Sequence, residues 1–286
     1  MEPYLSALSD IMERGTDRPS RPGVDTRALF GLSMEFDLRE GFPAVTTKEL
    51  AFSSMRAENI WFLTASRDVN DLERMGSSIW RENAEADYWK PKAEFPGDVG
   101  RIYGVQWRRW RAPDGEEVDQ VAQVLRGLEE EPYSRRHVIN GWNPGELDRM
   151  ALPPCHLLYQ YHVDADGGLH LTMFQRSADM FLGVPFNIAS CGLYLAMFAQ
   201  AAELEPRTVT ITLGDAHVYH NHFEQVEEQL SREPLDRPEL DLSPEIDAGW
   251  LIGLKGNHSL TEEDLDALIR LRDYEHHPRI PAPMAV

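Results

Sequence analysis

Cysteine is nearly missing from this chain of 286 residues: there are two, Cys155 and Cys191. So small a number excludes a disulfide framework, and a reducing, cytoplasmic location is expected. Cations are also scarce, with 28 Lys and Arg against 48 Asp and Glu and a formal net charge of −20. That balance argues against nucleic acid as a partner, because such affinity comes from neutralising phosphates. It leaves room for a small anionic ligand, since a few clustered arginines can focus their field inside a cleft. No run approaching the roughly 20 apolar residues of a bilayer span is read, so no membrane partner is expected. The opening MEPYLSALSD lacks a basic stretch leading into an apolar run, and no secretory signal is expected. Internal repeats, low-complexity tracts, a P-loop and a GxGxxG fingerprint are all missing as well.

What is present suits a globular protein with a sizeable core, at 42% hydrophobic and 27% charged residues. Met55, Ile60, Trp61 and Leu63 recur at helical spacing, predicting a helix over 53–65 with Glu58 in its middle. A second amphipathic helix is predicted over 118–128, closing in the acidic turn before Pro132. LLYQYHV and LHLTMF, separated by Asp164-Ala165-Asp166-Gly167-Gly168, predict a hairpin. A buried helix over 187–204, a strand over 208–213 and a helix over 218–230 follow. Prolines 234, 238 and 244 predict a loop-rich excursion, and prolines 278, 281 and 283 an untethered, fraying end. Strands and helices mixed without βαβ regularity predict an α+β class, as one domain over 1–286.

Cys155 stands in Pro153-Pro154-Cys155-His156. An intracellular cysteine can serve as a nucleophile when a cation favours its thiolate, and Arg176 or the pair Arg135-Arg136 could supply one. The commoner fate of a lone cysteine is a buried structural role, and an arginine pair is more often a solvated surface feature. Its local surroundings therefore leave Cys155 open, whereas Cys191, within an apolar stretch, reads as structural. His156 is a poor base for its neighbour, because adjacent residues of a strand point to opposite faces. The clusters His217/His220/His222 and His276/His277 have no second ligand group at a recognised spacing, so no metal is expected.

The run Gln175-Arg176-Ser177-Ala178-Asp179-Met180-Phe181-Leu182-Gly183-Val184-Pro185-Phe186-Asn187-Ile188-Ala189-Ser190 resembles the thymidylate synthase family of folate-dependent enzymes. Resemblance continues through Pro154-Cys155-His156 and Gly214-Asp215-Ala216-His217-Val218-Tyr219. It extends to Gly41-Phe42-Pro43, Val45-Thr46-Thr47-Lys48, Glu58 before Trp61-Phe62-Leu63, Ile79-Trp80, Tyr103-Gly104 before Gln106-Trp107-Arg108, Ser134-Arg135-Arg136 and the closing Ala282-Pro283-Met284-Ala285-Val286. Essentially the whole chain is covered. The resemblance implies an α+β subunit on a large twisted mixed sheet flanked by helices, with two such sheets packed back to back in a homodimer.

It also implies the chemistry. Cys155 would add to C6 of a pyrimidine nucleotide, most simply dUMP, so that C5 accepts the one-carbon unit of 5,10-methylenetetrahydrofolate. Glu58 matches a proton-relaying carboxylate, Tyr103 a residue that helps remove the C5 proton, and Asn187 the amide that reads N3 and O4 of the base. Arg21, Gln175, Arg176 and Ser177 match substrate ligands from the same subunit. Arg135 and Arg136 match arginines donated by the partner subunit, completing a phosphate cage of planar forks. His217 and Tyr219 match ligands of the ribose. Asp179 matches a pterin ligand, while Ile79, Trp80, Leu152, Leu182, Gly183 and Phe186 match the folate pocket, closed by Val286.

Several positions depart from the family pattern. Glu49, Ala51 and Ser53 stand where further bases are usual, so attraction for the folate's glutamate tail is expected to be weak. Arg81 replaces an aspartate, Arg101 a proline, Cys191 a tyrosine and Leu213 a glycine, and the phosphate loop reads Arg21-Pro22-Gly23-Val24-Asp25-Thr26. These changes around the folate surface keep an alternative alive: a 5-hydroxymethylase acting on dUMP, UMP, CMP or dCMP, in which water takes the place of hydride. A catalytically silent nucleotide- or folate-binding dimer is the third reading.

Overall fold

A computed structural model describes residues 1–21 and 23–284. Its centre is a sheet of six strands: β1 (Thr16–Arg18), β2 (Thr26–Asp37), β3 (Val138–Asn140), β4 (His156–Val163), β5 (Gly168–Asp179) and β6 (Glu205–Tyr219), in the order β1-β2-β6-β5-β4-β3. Every neighbouring pair is antiparallel except β5 and β6, which run parallel. The sheet is therefore mixed and flanked by helices, as the α+β reading requires. The expected hairpin is β4–β5, turning at Asp164, whose carboxylate accepts the Asp166 and Gly168 N–H groups.

The parallel pair needs a crossover, and helix α5 supplies it. Numbered in chain order, the helices that matter for the site are α1 (Glu2–Arg14), α2 (Phe52–Thr64), α3 (Tyr103–Arg108), α4 (Gln120–Glu130), α5 (Gly183–Ala201) and α6 (Phe223–Leu230). One βαβ unit thus sits in an otherwise antiparallel arrangement. Helix α5 is also long and apolar enough to cross a membrane by length and composition alone, which corrects the expectation that no such run exists. Val184, Ile188, Leu195, Met197 and Phe198 are enclosed by protein, so here its apolar surface is core.

The sheet's two faces differ because side chains alternate along each strand. Val209, Ile211, Leu171, Met173, Tyr159 and Tyr161 are buried on the helix-covered side. On the other side the register aligns Gln160, Thr172, Thr210 and Glu35 in one row, and Leu158, Phe174, Thr212 and Ser33 in the next. There Gln160, Thr172, Phe174, Glu35 and Ser33 are exposed, and Leu158, Thr210 and Thr212 are half-buried.

The structure differs from the sequence reading in several places. Strand β6 runs on to Tyr219, and α6 begins only at Phe223 after a 3-10 turn. Pairing with β2 over Thr26–Asp37 holds 218 and 219 extended, against their helical pattern. The proline-rich excursion contains a short ribbon, Glu239–Leu242 paired with Ile269–Arg272. The end expected to fray is tied down through Pro283: Arg232 donates to the Pro278 carbonyl, the His277 N–H to Thr46, and His222 Nε2 lies 2.7 Å from the Pro283 carbonyl.

Candidate active site

Strand ends assemble the site. Pairing of His156 with Gln175, and of Ser177 and Asp179 with Asp215 and His217, places the start of β4, the second half of β5 and the end of β6 side by side. Register slips between His156 and Leu158, so Cys155 enters the sheet beside an irregularity rather than within a regular ladder. Helix α5 starts four residues after β5 ends and brings Asn187 over the same strands. Gln175 Nε2 donates to Asn187 Oδ1 at 3.0 Å and to the Ser177 carbonyl at 2.9 Å.

Around the thiol the contacts are specific. The Cys155 N–H donates to Tyr103 Oη at 2.8 Å, fixing the phenol beside the cysteine. Arg176 donates from its backbone to the Cys155 carbonyl, from Nε to the Pro154 carbonyl at 2.8 Å, and from a terminal nitrogen to the Pro153 carbonyl at 2.9 Å. In this structure the guanidinium that resemblance assigns to phosphate thus grips the cysteine loop. Burial pushes the Cys155 thiol up, while the Arg176 charge and the Tyr103 hydrogen bond pull it back. Tyr103 is held well above the ordinary tyrosine value, first by burial and then by Cys155, so it is a neutral phenol at physiological pH.

Glu58 comes from α2, and its carboxylate accepts a hydrogen bond from Trp80 Nε1 at 2.6 Å. Burial raises it to about 7, with the Trp80 bond opposing. Trp80 is itself packed edge-on against Phe62 and Tyr103, with ring centroids 5.9 Å apart in both cases. His156 sits in the opposite regime: burial lowers it to about 4, contact with Asn187 opposing, and its Nδ1 lies 2.9 Å from Tyr159 Oη. It is a neutral hydrogen-bonding group, and no hydrogen bond joins it to the thiol.

The remaining candidates fall into three sets. His217 and Tyr219 pack edge-on at 5.2 Å at the end of β6, with His217 Nδ1 3.3 Å from the Asp215 carbonyl. Asp179 accepts the Phe181 and Leu182 N–H groups, which turns the chain into α5. Leu182 and Gly183 adjoin this turn and are half-buried, as are Leu152 and Phe186, while Ile79 is exposed. Arg21 is exposed in the β1–β2 loop, and Arg135 and Arg136 are exposed beside Gln160 of the uncovered face rather than gathered at Cys155. Val286 lies outside the described residues.

A family model described as thymidylate synthase matches residues 2–286, essentially the entire chain. The chain belongs to the thymidylate synthase family. With that membership, the mixed sheet, the flanking helices and the cysteine at a strand start have a common explanation: this is an enzyme of the thymidylate synthase type, whose chemistry is pyrimidine C5 one-carbon transfer with methylenetetrahydrofolate as cosubstrate. Among the described residues no group of three or more His, Cys, Asp or Glu side chains is arranged to hold a metal ion.

Sequence reasoning assigned no role to Lys48, which the fold buries with Nζ on the Phe181 carbonyl and 3.6 Å from the Phe181 ring centre. Burial lowers it to about 7, and Asp179 pulls it back. The lysine's sequence position carries no signal of enclosure; only its contact with Phe181, and that of Thr47 with Gln229 of α6, reveal it.

Proposed function

We propose that the enzyme methylates dUMP at C5, with Cys155 as the nucleophile toward C6. The observation that carries this reading is the juxtaposition of Cys155 and Asn187, joined through the β4–β5 register and the Gln175–Asn187 hydrogen bond. A thiol and a base-reading amide held together suit attack on a uracil, because one side chain fixes the ring edge while the other meets C6. The folate, when bound, supplies a one-carbon unit and, for methylation, the hydride that reduces it. Arg176 stabilises the thiolate. Asn187 offers an acceptor to N3–H and donors to O4. Glu58, poised near neutrality, exchanges protons with the base and the cosubstrate through water. Tyr103, neutral and hydrogen-bonded to the Cys155 backbone, passes the C5 proton as a hydroxyl relay rather than as a phenolate base.

The phosphate dianion is met by Arg21, Arg176 and Ser177 of one subunit and by Arg135 and Arg136 of a second. The uncovered sheet face supports that arrangement: its rows, with Leu158 and Phe174 among polar side chains, lie next to the loop bearing both arginines, so two faces packed back to back carry each pair toward the other subunit. The reading includes a cytoplasmic homodimer.

One assay tests the activity. Incubation with dUMP and methylenetetrahydrofolate should give a nucleotide heavier by a methyl group, together with dihydrofolate absorbance. A hydroxymethyl nucleotide without dihydrofolate would overturn methylation in favour of the hydroxymethylase; no product from dUMP, UMP, CMP or dCMP would overturn both. Cys155→Ala should abolish turnover while nucleotide binding, followed by calorimetry, persists.

A further inference from the structure

Trp142 lies outside every role assigned above. It follows β3 and Gly141, where the chain passes close to β4: the Gly141 N–H donates to the Leu157 carbonyl, and a Cβ there would sit 3.2 Å from the His156 carbonyl oxygen. The Trp142 N–H donates to Asn140 Oδ1 at 2.9 Å, so its backbone is anchored. Its half-buried ring faces the Arg176 guanidinium, 5.4 Å from guanidinium carbon to ring centre.

That contact bears on how Arg176 is used. Attraction to the face of an aromatic ring acts on the guanidinium's charge and occupies none of its N–H donors. A ring so placed limits the guanidinium's movement without competing for a donor. Nε and one terminal nitrogen then stay on the Pro154 and Pro153 carbonyls, and the backbone N–H on that of Cys155, so a single residue holds three successive carbonyls. The other terminal nitrogen has no protein acceptor among the described residues, which leaves it for an anion. We infer that Trp142 is a positioning residue, which acts through Arg176 to keep its positive charge and the cysteine loop in fixed relation. The inference rests on the nucleophile reading of Cys155.

The test reads the thiol without substrate. Cys155 is the reporter, because Cys191 is fully buried. The charged and titratable groups around it are Arg176, Tyr103, Glu58, Tyr219 and the neighbouring His156. Alkylation of the full chain by iodoacetamide is followed against pH. Trp142→Leu should slow the reaction at neutral pH by about three-fold and displace the profile to higher pH. Trp142→Phe should shift it less, in the same direction. In an Arg176→Ala background the Leu substitution should have no further effect. An unchanged profile in a folded Trp142→Leu protein, or effects of the two substitutions that simply add, would overturn the inference. If the Leu variant does not fold, an unshifted profile for Trp142→Phe overturns it equally. Loss of the coupling counts against Trp142, whereas a coupled but catalytically inert wild-type enzyme counts against the proposed reaction.

Discussion

Glu58 keeps some surface within reach of solvent, yet its carboxyl lies deep, bound by Trp80, whose ring packs against Trp61 and Tyr103. Its pKa rises from an ordinary 4.5 to about 7, with burial as the main cause. A carboxyl with a higher pKa in the folded state holds its proton more tightly there. Its contribution to stability is therefore most favourable below 4.5, declines as pH rises to about 7 and is level above that. Glu58→Gln should remove this slope, so that between mildly acidic and mildly alkaline pH the wild type loses on the order of 1–2 kcal/mol relative to the variant. Urea denaturation at several pH values measures it, and parallel stability curves would refute the burial argument. The same substitution should cost turnover by about 100-fold, since an amide cannot exchange the proton. Tyr103 and Cys155 share the cause: enclosure raises both, and only Arg176 and the hydrogen bond between them work the other way for the thiol.

Helices α2 and α3 carry the acid and the phenol, and their separation is set by one glycine. A Cβ at Gly104 would lie 2.0 Å from the Phe62 carbonyl oxygen, so the two backbones approach this closely only because residue 104 lacks a side chain. The close approach lets Phe62 and Tyr103 pack with ring centroids 4.8 Å apart, next to Trp107 at 5.6 Å and 6.1 Å. Gly104→Ala must push the helices apart and should cost about 3 kcal/mol by urea denaturation. The Tyr103 hydroxyl would move off the Cys155 N–H, so kcat should fall along with stability. A variant of wild-type stability and activity would mean that the helices yield without affecting the site.

At the scale of the whole molecule, the uncovered sheet face is the decisive surface. Its aligned rows mix Phe174 and Leu158 with threonines, Gln160 and Glu35, a composition able to meet its own copy across a two-fold axis. Thr172→Arg places a long charged side chain in the middle of that face, where a second copy would have to pack. Sedimentation should then show a folded monomer in place of a dimer, and nucleotide affinity should drop about 100-fold or more through loss of the donated arginines. Nucleoside affinity should change much less. A wild-type monomer that turns over dUMP would refute the two-subunit site.

Much of this was legible in the chain before folding. Helical spacing around Trp61 marked α2, and the Gly-rich turn marked the β4–β5 hairpin, because amphipathic periods and turn chemistry are local. Cys155 was not legible from its neighbours, since reactivity depends on charges brought in from β5 and on burial; motifs along the whole length raised it as a nucleophile. Strand β2 was not read, and 218 and 219 were read as helix, because long-range pairing with β6 overrides local preference there. Composition and order of residues alone thus determined the class of fold, the family and the candidate nucleophile. Tertiary structure alone decided that Lys48 is enclosed, that Arg176 grips the Pro153–Cys155 carbonyls, that the Trp142 ring lies against it and that one sheet face carries exposed side chains. Each of these depends on distances between residues remote in the chain, and no local pattern encodes such distances.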